Sequence, residues 1–217
     1  MPPPSANQVT VAPSKDNTLY EDVGGALSNG AGEVLFAGKT GPNAGFVVRR
    51  AVIAFDVAAS LPAGATVTGA TLTLNVSKQS PFAVPSTIDL HRLEADWGEG
   101  TSNAVPPPPD GGGDGAASTT GDATWIHTFF NTANWTNAGG DYSATISGSQ
   151  SVVGLGPHSW TGPQMIADVQ SWLDGPSNDF GWIIIGDEVT TQSARRFDSR
   201  ENTTMSDRPQ LSITYIE

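Results

Sequence analysis

The sequence predicts an all-β protein, a jelly-roll-type two-sheet β-sandwich carrying one short α-helix. Three observations carry this. The chain holds 25 Gly and 16 Pro with only 15% charged residues, a composition of short strands joined by turns. Eight or more segments alternate with period two or form short β-branched runs. One stretch alone has helical spacing, with apolar residues at Ile166, Val169, Trp172 and Leu173, Thr161 and Pro163 as start signals and Gly175 as the stop. At 217 residues such a pattern fits a single sandwich whose core needs no disulfide or metal staple.

Taken in order, residues 1–8 read as a leader without structure and 9–217 as one domain. Gln8–Val11 is a period-two strand, and Val34–Ala37 is a short apolar strand within a Gly/Asn/Ala-rich region. In the segment 46–57, alternation puts Val48, Arg50, Val52 and Ala54 on one face and Arg49, Ala51, Ile53 and Phe55 on the other. Leu61–Ala65 is a turn. The next strand, 66–77, presents Leu72, Leu74 and Val76 to the core, and 88–93 follows it. Residues 105–122, with four prolines and then glycines, read as a flexible surface insertion. The run Trp182-Ile183-Ile184-Ile185 between Gly181 and Gly186 reads as a strand buried on both faces, and 210–216 closes the sheet.

A formal net charge of −12 argues against nucleic acid or an anionic membrane as a partner, and no run is long enough to insert in a membrane. Cysteine is absent, which excludes thiol chemistry, disulfides and cysteine-based zinc sites. The sequence carries no signal peptide, and the proline-rich start reads as a boundary after a removed signal or linker. Few Lys with many Thr, Asn and Trp suit an exported bacterial module facing polysaccharide. The expected setting is secreted, as a monomer or as part of a multidomain protein.

Several segments together resemble one family, the DNRLRE-domain proteins. They are Arg50-Ala-Val-Ile-Ala-Phe-Asp56, Leu61-Pro-Ala-Gly-Ala-Thr-Val-Thr-Gly-Ala-Thr-Leu-Thr-Leu74, Leu90-His-Arg-Leu93 with Asp96-Trp-Gly-Glu-Gly100, Asp168-Val-Gln-Ser-Trp-Leu173, Phe180-Gly-Trp182 and Arg196-Phe-Asp-Ser-Arg-Glu201. The resemblance covers nearly the whole chain from about residue 9. It implies a β-sandwich related to jelly-roll carbohydrate-binding modules, some of which accompany enzymes acting on algal polysaccharides such as alginate.

Arginine is the clearest chemical signal. Seven of ten cations are Arg, and a guanidinium fork binds carboxylates such as those of uronic acids. Arg49, Arg195 and Arg200 are the ligand candidates. Adjacent strand residues face opposite ways, so one of each pair Arg49-Arg50 and Arg195-Arg196 serves a given surface. Pairing of Arg50, Arg196 or Arg200 with Asp56, Asp198 or Glu201 inside the sheet is the structural counterpart of this reading. Trp172 and Trp182 lie in the core pattern. Trp97, Trp125, Trp135 and Trp160 have loop-like neighbours and are the candidate sugar-stacking platforms, with burial as the competing fate.

Asp16, Asn17 and Glu21 gather oxygen ligands of the kind calcium takes in a structural role, although turn capping uses the same residues. His91, His127 and His158 form an alternative transition-metal set without ligand spacing such as HExxH. Asp96 with Glu99, and Asp187 with Glu188, are the nearest acid pairs for glycoside chemistry. The leading expectation is non-catalytic recognition of an extracellular polysaccharide, with an acidic, alginate-like polymer among the candidates. The alternatives are a structural or adhesive cell-surface domain, and a metal-dependent or glycoside-cleaving polysaccharide enzyme.

Overall fold

The computed structural model describes residues 5–104 and 112–217, so Met1–Pro4 of the expected leader and residues 105–111 of the expected insertion lie outside it. The strands are β1 (Asn7–Val11), β2 (Lys15–Tyr20), β3 (Leu27–Ser28), β4 (Val34–Lys39), β5 (Val48–Ala54), β6 (Thr66–Gln79), β7 (Ser86–Leu93), β8 (Ala116–Ala117), β9 (His127–Phe129), β10 (Ala133–Asn134), β11 (Tyr142–Val152), β12 (Gly156–Thr161), β13 (Trp182–Ile185), β14 (Arg195–Asp198) and β15 (Gln210–Ile216). The helices are α1 (Val57–Ser60) and α2 (Pro163–Asp174). The fold is all-β, with α1 a one-turn addition to the single helix expected. Asp56 caps that turn, its Oδ1 accepting from Ala59 N at 3.0 Å.

One antiparallel sheet runs β1-β15-β6-β14-β4-β5-β13-β7-β11, with β12 also on β6 and β2 also on β5. It curls into the two facing layers of a jelly-roll-like sandwich. The join is β4, whose residues Val34–Ala37 pair with β14 in the first layer while Gly38 and Lys39 pair with β5 in the second. Gly38 sits at that crossing with φ 111°, and a Cβ there would stand 2.9 Å from the Ala194 backbone. Only glycine fits both constraints.

Between the layers lies the main core. Leu72, Leu74, Val76, Trp160, Phe197, Leu211 and Ile213 come from one side, and Ala51, Ile53, Phe55, Ile88, Leu90, Trp182 and Ile184 from the other. Helix α2 closes it with Met165, Val169, Trp172 and Leu173. Its Asp168 is buried inside the apolar face. The carboxylate accepts from Ser147 Oγ at 2.5 Å, Trp182 Nε1 at 2.9 Å and Gln164 Nε2 at 3.0 Å, so a buried charge is satisfied rather than stranded.

The second layer is covered on its outer face too. Leu19, Val52, Ala54, Leu93 and Ile183 pack there under Trp97, Ala123 and Trp135. Strand β13 therefore sends Trp182 and Ile184 into one core and Ile183 into the other, as its unbroken apolar run predicts.

Two boundaries differ from expectation. Asn7, placed in the leader, pairs with Tyr215 in β15, one residue before the strand expected from Gln8. Residues 112–122 of the expected insertion are held to the body: β8 pairs with β3, Tyr20 Oη donates to Gly112 O at 2.9 Å, and Asp122 is buried. Glycine-rich composition hides this because the bonds are made by backbone carbonyls, which every sequence has. Among the described residues no helix is long and apolar enough to cross a membrane.

Candidate functional site

Burial removes most of the expected stacking platforms. Trp97, Trp135 and Trp160 are buried. Each indole N–H donates to a backbone carbonyl, of Phe180, Thr124 and Ile88 respectively, at 2.8 to 2.9 Å. An amphipathic ring with its polar edge satisfied internally belongs to the core. Trp125 is half-buried, and the Arg50 guanidinium lies 5.0 Å from its ring centroid, occupying one face.

The arginines divide likewise. Arg49 is buried, donating to Gly113 O at 3.2 and 3.3 Å and to Val48 O at 3.0 Å, with its guanidinium 4.7 Å over the Tyr20 ring. It pins the segment after residue 111 and does not face solvent. Arg195 is buried as well, donating to Ser193 O and Val84 O, both at 2.6 Å. Arg50 pairs with Glu188 at 2.6 Å, a partner the sequence reading did not name. Arg200 pairs with Glu99 and Glu201.

The remaining arginine of the 195-196 pair opens on a groove. Arg196 stands opposite Lys78 of β6 and opposite Phe36 of β4, so Lys78, Arg196 and Phe36 form one row across three strands. Arg196 Nε donates to Ser77 Oγ at 3.1 Å. The groove encloses about 550 Å³ and is lined by this row together with Gln79, Phe82 and Gln192. Phe82 is 77% exposed, an apolar plane beside two cations. Gln192 adopts φ 63°, a left-handed conformation unfavourable for a side chain with Cβ. It is held by Ser80 Oγ, which donates to its Oε1 at 2.8 Å.

No histidine cluster forms among the described residues. His91 contacts Ser143 O through Nδ1 at 2.9 Å, His127 contacts Thr124 Oγ1 at 2.9 Å, and His158 lies on β12. The expected oxygen site also changes partners. Glu21 accepts from Val48 N at 2.6 Å. Asn17 is a structural hub: its amide donates to Ser28 Oγ and to Glu99 O, both at 2.9 Å, and its Oδ1 accepts from Thr18 N at 2.7 Å and Asn29 N at 3.0 Å. Asp16 instead meets Glu99 and Glu201, with one oxygen of each within 4.8 Å of the others. This buried acidic group could hold a metal ion.

Local structure sets that group firmly. Glu99 is placed by Asn17 and by Gly30, where a Cβ would lie 1.6 Å from Glu99 O. Ser199 Oγ accepts from Glu201 N at 3.1 Å and donates to Gly32 O at 2.7 Å, fixing the turn after β14. Burial, reinforced by the Glu201 charge, holds the Asp16 carboxyl well above the usual carboxylate range. Burial raises Glu201 as well, against the attraction of Arg200.

The other acid pairs serve structure: Asp96 binds Lys15 at 2.7 Å, Glu188 binds Arg50, and Asp187 accepts from Val189 N and Thr190 N, each at 2.9 Å. Sequence reasoning missed Phe36, Lys78, Phe82, Arg196 and Glu201 as site residues, and it paired Glu99 with Asp96 instead of with Asp16 and Glu201. Only Phe82 left a local trace, a large apolar residue in the turn Ser80-Pro81-Phe82-Ala83-Val84-Pro85. Compared with protein-family models and with curated proteins, the chain matches none.

Proposed function

We propose that this domain is a non-catalytic carbohydrate-binding module that holds an acidic polysaccharide in the groove of Phe36, Lys78, Phe82 and Arg196. One observation carries the reading: the exposed aromatic plane of Phe82 lines the same open groove as the Arg196 guanidinium. Phe82 stacks on the apolar face of a sugar ring, while Arg196 takes its carboxylate by charge-assisted hydrogen bonds. A net charge of −12 repels polyanions at long range, so the contact depends on this local patch and weakens with salt. The resemblance to DNRLRE-domain proteins supports the same reading, and the proposal includes secretion as one module of a larger bacterial protein. A structural calcium is the cofactor this proposal includes.

The test is retention of the full chain on a panel of neutral and acidic polysaccharides, with assay of newly released chain ends. Selective retention on a uronate polymer, without new ends and lost in Arg196→Gln, is the expected result. Equal retention of wild type and Arg196→Gln would sink it.

A structural or adhesive role has one observation in its favour. The registers Ser86↔Val152 and Val76↔Gly156 bring the exposed Phe82, Val84, Val153 and Leu155 to one end of the sandwich. Self-association abolished by Leu155→Ser, with no glycan retained, would favour that role.

A further inference from the structure

Three carboxylates and one guanidinium share the space between β2, the loop after β7 and the turn after β14. Arg200 Nη1 donates to both Glu99 oxygens at 2.9 Å and to Glu201 Oε1 at 2.7 Å. Asp16 Oδ2 accepts from Arg200 N at 2.8 Å, and Asp16 N donates to Glu99 Oε1 at 2.9 Å. With all three carboxyls ionised, as cation ligands are, Arg200 offsets one of three negative charges and leaves two for a cation to meet. Asp16 is 0% exposed, and among the described residues its Oδ1 has no hydrogen-bond partner; nor has the buried Glu201 Oε2. A buried carboxylate oxygen with no donor is costly to ionise unless a cation meets it. Here two such oxygens belong to carboxylates that converge within 4.8 Å.

We infer that Asp16, Glu99 and Glu201 form a calcium site that ties these three segments together. The donor set is all oxygen and carries the charge a hard divalent cation neutralises. Asp16 Oδ1 and Glu201 Oε2 are the anchoring ligands, Glu99 is the third, and Asn17 positions Glu99 through its backbone carbonyl. Arg200 is the competitor: its guanidinium fills part of the same charge requirement, so it holds the segments together when calcium is scarce and lowers calcium affinity. The inference deepens the calcium part of the proposed function and is independent of the glycan part.

The full chain, stripped with chelator, is titrated with calcium chloride by calorimetry and its thermal unfolding followed over the same series, with no glycan present. Wild type should bind one equivalent and show a Tm rising with calcium, as binding to the native state requires. Glu201→Gln, at the half-exposed rim, should weaken binding at least about tenfold, since affinity in such sites follows ligand charge. Arg200→Gln should bind more tightly, an outcome a purely structural ion pair would not produce. Absence of heat and of a Tm shift in wild type overturns the inference. So does unchanged affinity in folded Glu201→Gln, or magnesium binding as tightly as calcium. If Glu201→Gln fails to fold, the sign of the change in Arg200→Gln decides. Glycan retention measured in chelator is a separate readout, so failure here leaves the groove standing.

Discussion

Trp172 and Trp182 meet edge to face with ring centroids 4.6 Å apart, and Trp182 Nε1 donates to Asp168 Oδ2 at 2.9 Å. Helix α2 is thereby fastened to the central strand by an aromatic contact and a charge-assisted hydrogen bond, four residues apart on one helix face.

Removing that carboxylate leaves Ser147 Oγ and Trp182 Nε1 without their acceptor in the core. Asp168→Ala should therefore cost about 2 to 4 kcal/mol, since two buried neutral donors are left unpaired. Trp172→Ala should cost a similar amount through the cavity it leaves. Denaturant unfolding measures both; a loss below about 1 kcal/mol for either would show that α2 is not fastened in this way.

Asn17 satisfies five neighbouring polar groups through one buried amide: Ser28 Oγ, Glu99 O, Ala123 O, Thr18 N and Asn29 N. Asn17→Ala should lower stability by about 3 kcal/mol, since several of these are left unpaired where water does not enter. Because Glu99 loses its tether, the same variant should also weaken calcium binding. Asn17→Asp, which keeps the acceptor but not the donors, should recover only part of the loss.

Asp179 gives a pH signature. Burial, with Asp56 nearby adding to it, pushes its carboxyl from 3.8 up to about 7, while Val57 N donates to its Oδ2 at 3.3 Å. The folded state then holds a proton that the unfolded state has released, so this group's contribution to stability is lost as pH rises from about 4 to 7. Asp179→Asn should match wild type at the acid end of that window and exceed it above about pH 7. Parallel stability profiles for the two proteins would refute the assignment.

Phe82 separates binding from folding. At 77% exposure its truncation should change stability by less than about 0.5 kcal/mol. Loss of a stacking plane should weaken glycan binding by about tenfold, roughly 1.4 kcal/mol. Calorimetric titration with uronate oligosaccharides, alongside a melting curve, distinguishes the two effects. Unaltered affinity in Phe82→Ala would remove stacking from the proposal.

What the sequence revealed follows from where the bonds are local. Helix α2 was legible because Pro163, Gly175 and the apolar spacing lie within thirteen residues, and β13 because an apolar run of four suits a strand with two covered faces. The opposite faces of Arg49 and Arg50 were legible from alternation, but their partners Gly113, Gly139 and Glu188 depend on chain packing. Trp97 and Trp135 misled because Gly and Thr beside a tryptophan look like an exposed loop. Here the carbonyls that satisfy the two buried indoles come from Phe180 and Thr124, brought in by chain packing. Asp16, Glu99 and Glu201 lie in three distant parts of the chain, so no spacing announces them.

The pairing of β1 with β15 has a mechanical meaning. Asn7 lies opposite Tyr215, so the chain enters and leaves the sandwich side by side at one end of an antiparallel pair. Tension applied through the two ends reaches these five residue pairs first and separates them in succession, from Asn7 inward, instead of shearing them together. Under load, the domain would give up this one strand as a short extensible tether before Trp172, Trp182 and the layers they join feel any force.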